Sequence, residues 1–96
     1  MKKLKYEQFA SVWDAIADTP EEAANLGLRS ELMYEIVTII KQNGWTQAVT
    51  AKHCGVTQPR INDLLQGRIS RFSIDALVNI ASALGRKVRV RLDTAA

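Results

Sequence analysis

Apolar residues recur at helical spacing from residue 11 to residue 84, and the period then switches to strict alternation. Ser11 is placed to cap a short helix carrying Val12, Trp13 and Ile16. Thr19-Pro20-Glu21-Glu22 is a second start signal. The Thr19 hydroxyl accepts an amide of the first turn, Pro20 sits where a missing N–H costs nothing, and Glu22 reaches back to the Thr19 amide. Ala24, Leu28, Leu32, Ile36, Ile39 and Ile40 keep one face through Gly27, which predicts a single helix over 20–43 closed by Gly44.

Three short helical segments follow, each bounded by glycine. Thr46 caps the first, which ends at Gly55, and Thr57 caps the second, which ends at Gly67. Ser73 caps the third, whose Ile74, Leu77, Val78, Ile80, Ala81 and Leu84 repeat at helical spacing before Gly85. Lys87-Val88-Arg89-Val90-Arg91-Leu92-Asp93 alternates basic and apolar residues, the pattern of a half-buried strand. A lone strand leaves its backbone groups unpaired. Two pairings satisfy it: antiparallel contact with a second copy through Val88, Val90 and Leu92, or a ladder with Lys3-Leu4-Lys5-Tyr6 of the same chain.

Charge changes the picture, because it is unevenly spread. Residues 1–35 sum to −3 and residues 36–96 to +6, so a basic region that suits phosphates stands behind an acidic arm. Cys54 is the only cysteine, which excludes an internal disulfide and a cysteine-based zinc cage. His53 and Cys54 are adjacent and point about 100° apart on a helix, with no other Cys or His to complete a site. Cys54 reads as a small core residue, His53 as surface, and Trp13 and Trp45 as core fillers. Neither a nucleophile–base pair nor a glycine-rich phosphate loop is present, so the expectation is a non-enzyme without catalytic residues, metal or cofactor. The basic N-terminus has no apolar block behind it and no apolar run is long enough to cross a bilayer. The expected location is cytoplasmic, with no membrane partner.

The most informative stretch is 46–67. Two helices crossing steeply through a tight turn need a small residue at the crossing (Ala51), a glycine to close the first helix (Gly55) and an apolar plug in the turn (Val56). In the second helix Ile61 and Leu64 share one face, while Gln58, Arg60, Asn62, Asp63 and Gln66 spread over the rest. Such a helix fits the major groove of DNA, where each base pair presents a distinct donor and acceptor pattern.

The run Trp45-Thr46-Gln47, Ala51, Gly55-Val56-Thr57-Gln58, Ile61, Leu64 and Gly67-Arg68 resembles the Cro/CI-type (XRE) helix-turn-helix family. Ser73, Asp75, Leu77, Ala81, Leu84 and Gly85 extend the likeness. Val12-Trp13-Asp14-Ala15-Ile16 and Thr19-Pro20-Glu21-Glu22-Ala23-Ala24 add a resemblance to the small HigA-like antitoxins of type II toxin-antitoxin systems. Thr50, Lys52 and His53 depart from the more alanine- and leucine-like residues of relatives.

The resemblance implies an all-α, lambda-repressor-like five-helix DNA-binding domain with one C-terminal β-strand. It divides the chain into an N-terminal arm with a short helix (1–29), the helix-turn-helix domain (30–85) and a dimerisation strand and tail (86–96). The DNA-contacting set it implies is Thr46, Gln47, Thr57, Gln58, Pro59, Arg60, Asn62, Asp63, Arg68 and Arg71. Within that set Gln47 takes a phosphate and braces Gln58, and Gln58 and Asn62 read adenine. Arg60 takes a guanine or a phosphate, and Arg68 and Arg71 set register on phosphates. The implied partners are a double-stranded DNA operator, a second copy in a homodimer and a basic RelE/HigB-like toxin. The toxin would meet the acidic arm, or the surface the arm packs on, with Phe9, Val12, Trp13 and Ile16 as the contact; the other reading of these four is that they simply cover the helical core. The implied activity is sequence-specific transcriptional repression, autoregulating a toxin operon; the alternative is a stand-alone or phage-type regulator without a toxin.

Overall fold

The structure, a computed structural model, describes residues 12–94. Ser11, Phe9 and the 3–6 segment lie outside the described residues. The element order is α1 (described over 12–16), α2 (Pro20–Asn43), α3 (Gln47–Cys54), α4 (Gln58–Leu65), a 3-10 turn (Ile69–Arg71) and α5 (Ile74–Ala83).

Local signals set the helix boundaries. The hydroxyls of Thr19, Thr46, Thr57 and Ser73 each accept from the amide three residues on, at 3.0, 3.1, 3.2 and 3.1 Å. The Glu22 carboxylate closes the first of these caps one residue earlier than the pattern predicts, accepting from the Asp18 amide at 3.3 Å rather than from Thr19. Gly55 adopts φ 68°, a left-handed conformation that turns the chain out of α3 while its amide donates to the Ala51 and Lys52 carbonyls.

α2 spans 24 residues, about 36 Å at the usual rise, and is the spine of the molecule. It packs against α5, the 3-10 turn and α4, while α3 packs on α4 and α5. It runs unbroken through the 29/30 position at which the expected arm would meet the domain. Its inward face is rotated from the expected one. Ala24 and Leu28 are exposed, and the buried positions are Ala23, Gly27, Met33, Ile36 and Ile40. The periodicity locates an apolar stripe, but only the neighbours decide which edge of a broad stripe faces in.

The core joins Met33, Ile36 and Ile40 of α2 to Ala51, Ile61, Leu64, Phe72, Leu77, Ile80 and Ala81. Thr50 is fully buried among them, and its hydroxyl donates to the Thr46 carbonyl at 2.8 Å, so the buried oxygen is satisfied within its own helix. Cys54 is half-buried at the edge of this cluster.

The expected C-terminal strand is not formed. Residues 86–94 have no regular secondary structure. Val88 packs against the core, but Val90 and Leu92 stand 82% and 93% exposed. The alternation is real in the sequence. A strand nevertheless needs a second strand to bond to, and none lies beside it among the described residues.

Leu64 has no exposed surface, so truncating it leaves a void rather than a solvated notch. Leu64→Ala is expected to lower stability by about 2–5 kcal/mol, read as a shift of the urea midpoint at constant slope.

Candidate nucleic-acid interface

Helix α4 presents a dry side and a wet side. Ile61 and Leu64 are completely buried, whereas Gln58, Pro59 and Gln66 are exposed and Asn62 and Asp63 half-buried. Pro59, Asn62, Asp63 and Gln66 recur at spacings of three and four, so they share one outward face, with Gln58 at its leading edge. The exposed Thr46 and Thr57 sit just ahead of α3 and α4, with their hydroxyls engaged as caps.

Gln47 opens α3 beside this face. Its amide nitrogen donates to the Asn62 carbonyl oxygen at 3.4 Å, so the side chain that it braces is Asn62 and not Gln58. That contact, long for an amide hydrogen bond, turns the Asn62 oxygen towards Gln47 and leaves the Asn62 nitrogen as a donor. The face therefore carries two amide side chains coupled across the turn and one, Gln58, projecting from the tip of α4.

The arginines divide sharply. Arg60 points back along the fold: its Nη1 donates to the Arg71 carbonyl at 2.6 Å and its guanidinium lies 4.0 Å from the centroid of the Phe72 ring. It holds the loop after α4. Arg29, on α2, reaches the same loop, donating from Nη1 to the carbonyls of Ile69 and Phe72, each at 3.2 Å. Arg68 and Arg71 project from that loop and converge on a single carboxylate oxygen, Asp63 Oδ1, at 2.7 and 2.9 Å. The Arg68 amide also donates to the Asp63 carbonyl at 3.0 Å, tying loop and helix together through backbone as well as side chain. The hydrogen bond from Arg68, reinforced by Arg71, lowers the Asp63 carboxyl below its ordinary range.

Of the ten DNA-contacting candidates, the structure brings Gln47, Gln58, Pro59 and Asn62 to one face and puts Asp63, Arg68 and Arg71 in one ionic cluster at its far end. Arg60 is turned towards the loop carbonyl and Phe72. The sequence pattern singles out neither Arg29 nor Phe72. Phe72 carried a weak signal, an aromatic residue next to the Ser73 cap, and Arg29 carried none.

The Trp45 and His53 rings, from the residues flanking and closing α3, meet at 4.5 Å between centroids, tilted by 50°. His53 is exposed and Trp45 half-buried, so the pair lies at the surface rather than filling the core. Among the described residues no cluster of His, Cys, Asp and Glu is arranged to hold a metal ion, and no helix is long and apolar enough to cross a membrane.

Two short helices joined by a tight glycine turn, the second with an exposed polar face, form a helix-turn-helix. A family model described as a helix-turn-helix domain matches residues 15–93. A comparison with curated proteins finds no match.

The Asp63 carboxyl titrates lower in the folded chain than in the unfolded one, so its ionised form favours folding above the ordinary carboxylate pKa of about 4. That contribution is lost as pH falls through the lowered folded value. Chemical denaturation of the parent and of Asp63→Asn from pH 6 downward is expected to show a smaller acid-induced loss in the variant; equal losses would remove Asp63 from the acid response.

Proposed function

Since this chain belongs to the helix-turn-helix domain family, we propose that it is a sequence-specific DNA-binding transcriptional repressor that lays α4 in the major groove. The observation that carries this reading is the outward face of α4, where Gln58 is exposed at the first turn and Asn62 is held by Gln47. A free amide at the tip of a helix suits bidentate bonding to adenine, and a braced amide loses less entropy on binding. Arg68 and Arg71 flank that face as phosphate contacts, while the inward hold on Arg60 favours a supporting role for it over reading guanine.

The protein acts as a two-fold dimer in this proposal, with half-sites about 34 Å apart. Support comes from Val90 and Leu92, which alternate with Arg89 and Arg91 on a segment without regular secondary structure and expose their apolar side chains almost completely. Antiparallel pairing of this segment with its copy would complete the ladder that the sequence pattern describes. Val88 is already engaged with its own core, so Val90 and Leu92 carry most of the new contact.

The finer form of the proposal is an antitoxin that represses its own operon and binds a basic RelE/HigB-like toxin. Its support is Val12 and Ile16, 58% and 64% exposed on α1 within the acidic third of the chain. An amphipathic segment with an unburied apolar side is suited to a groove on a basic partner. The alternative is a regulator with no such partner, in which α1 only shelters α2 through the Trp13 indole, whose N–H donates to the Ser30 hydroxyl at 2.8 Å.

Selection from a random duplex pool is expected to return a short palindrome for the parent protein. Gln58→Ala should then lose about 1–3 kcal/mol, concentrated on one base pair per half-site; a loss spread evenly over all duplexes would make Gln58 a backbone contact. Val90→Pro lies on an exposed segment without secondary structure, so it should leave the fold intact and convert the dimer to monomer in light scattering. A variant that remains dimeric would overturn pairing through 87–93.

A further inference from the structure

A carboxylate on the outward face of a DNA-reading helix is a physical oddity, because it repels every phosphate whatever the base sequence. Asp63 is such a group, with 16% of its side chain exposed beside Asn62 and Gln66. One of its oxygens receives two guanidiniums at once, and those arginines keep 46% and 58% of their side chains exposed. A guanidinium has five N–H donors, so an arginine that spends one on Asp63 still has a fork for a phosphate oxygen. Asp63 therefore holds Arg68 and Arg71 in place without consuming them.

The loop that bears these arginines is fastened independently. Arg29 bonds the Ile69 and Phe72 carbonyls, Arg60 bonds the Arg71 carbonyl, and the Arg68 amide returns to Asp63. With the backbone fixed, what remains mobile is the two long side chains. Asp63 removes that freedom.

We propose that Asp63 is a specificity-determining positioning residue: it fixes Arg68 and Arg71 at one register on the phosphates and weakens binding wherever that register is not matched. The inference rests on the DNA-reading proposal above. Two effects of opposite sign produce the selectivity. The negative charge lowers affinity for any duplex. The fixed arginine pair returns that loss only on a duplex whose phosphates meet both forks while the base contacts of α4 are made.

The test uses the full chain, the duplex that the parent protein selects from a random pool and a scrambled duplex of equal length and composition. Binding is measured by fluorescence anisotropy over a series of salt concentrations. Asp63→Asn is expected to bind the scrambled duplex several-fold more tightly, with a salt dependence steeper by about one unit. It should bind the selected duplex no better than the parent, so that the ratio of the two affinities falls about tenfold. Asp63→Glu should restore part of the ratio. In an Arg68→Ala, Arg71→Ala background, Asp63→Asn should leave the ratio nearly unchanged.

An unaltered ratio in folded Asp63→Asn overturns the proposal. A loss confined to one base pair per half-site also overturns it, since Asp63 would then be reading a base. Should circular dichroism show Asp63→Asn unfolded, Arg68→Lys, Arg71→Lys takes its place. Lysine keeps the charge but not the fork, so the ratio must fall while the salt dependence holds, and an unchanged ratio again overturns the idea. A parent protein that selects no duplex sinks the DNA-reading proposal itself, whereas a parent with a clear preference and an indifferent Asp63→Asn sinks only the role of Asp63.

Discussion

Everything on the outer side of α4 depends on the burial of Ile61 and Leu64 on its inner side. Both side chains are fully enclosed among α2, α3 and α5 residues, and each fully buried aliphatic side chain contributes roughly 1.5–3 kcal/mol. Two such anchors three residues apart leave an eight-residue helix no freedom to roll about its axis. Pro59, Asn62, Asp63 and Gln66 face outward because the opposite face has no alternative seat. A helix this short would not persist alone in water. Its helicity comes from the core, and its aim comes with it.

The four arginines gathered around the 69–72 loop, one from α2 and three from residues 60–71, serve two different ends. Arg29 and Arg60 are structural: both donate to carbonyls of the 69–72 loop, and Arg60 also covers Phe72. Arg68 and Arg71 stay largely exposed but share an acid. Counting lysines and arginines thus overstates what is free to meet a phosphate. This is a general weakness of charge arithmetic: planar guanidinium donors satisfy loop carbonyls as readily as anions, and composition cannot separate the two uses.

What the sequence reveals well is what is settled within four residues. Thr19, Thr46, Thr57 and Ser73 all cap as expected, and the helix starts follow from them. Gly55 closes its helix because only a left-handed residue turns the chain there. The inner face of α4 was legible for the same reason, two branched residues at helical spacing. Contacts made across forty residues were not legible. Arg29 bonds Ile69 and Phe72, and nothing around Arg29 in the chain distinguishes it from a solvated helix residue. The pairing of Gln47 with Asn62 rather than Gln58 is set by how α3 and α4 cross, which the order of residues along the chain does not specify. The C-terminal strand failed differently. Its alternation describes a surface that suits pairing, and pairing is a property of two segments, only one of which the pattern contains.

These contacts also decide how any loss of affinity must be read. The indole of Trp13 is fastened at Ser30 and the 69–72 loop at Arg29, so the arm and the loop attach to consecutive residues of one rigid helix. Removing Arg29 or Arg60 would loosen the loop that carries Arg68 and Arg71, and binding would fall although neither side chain need approach DNA. Removing Gln58 changes nothing that holds the fold, since the hydrogen bond that starts its helix is made by Thr57 to the Arg60 amide. The residues whose loss is most informative about recognition are therefore the ones the fold does not use. By that criterion Gln58, exposed and outside the loop's fastenings, separates reading from folding more cleanly than any of the arginines.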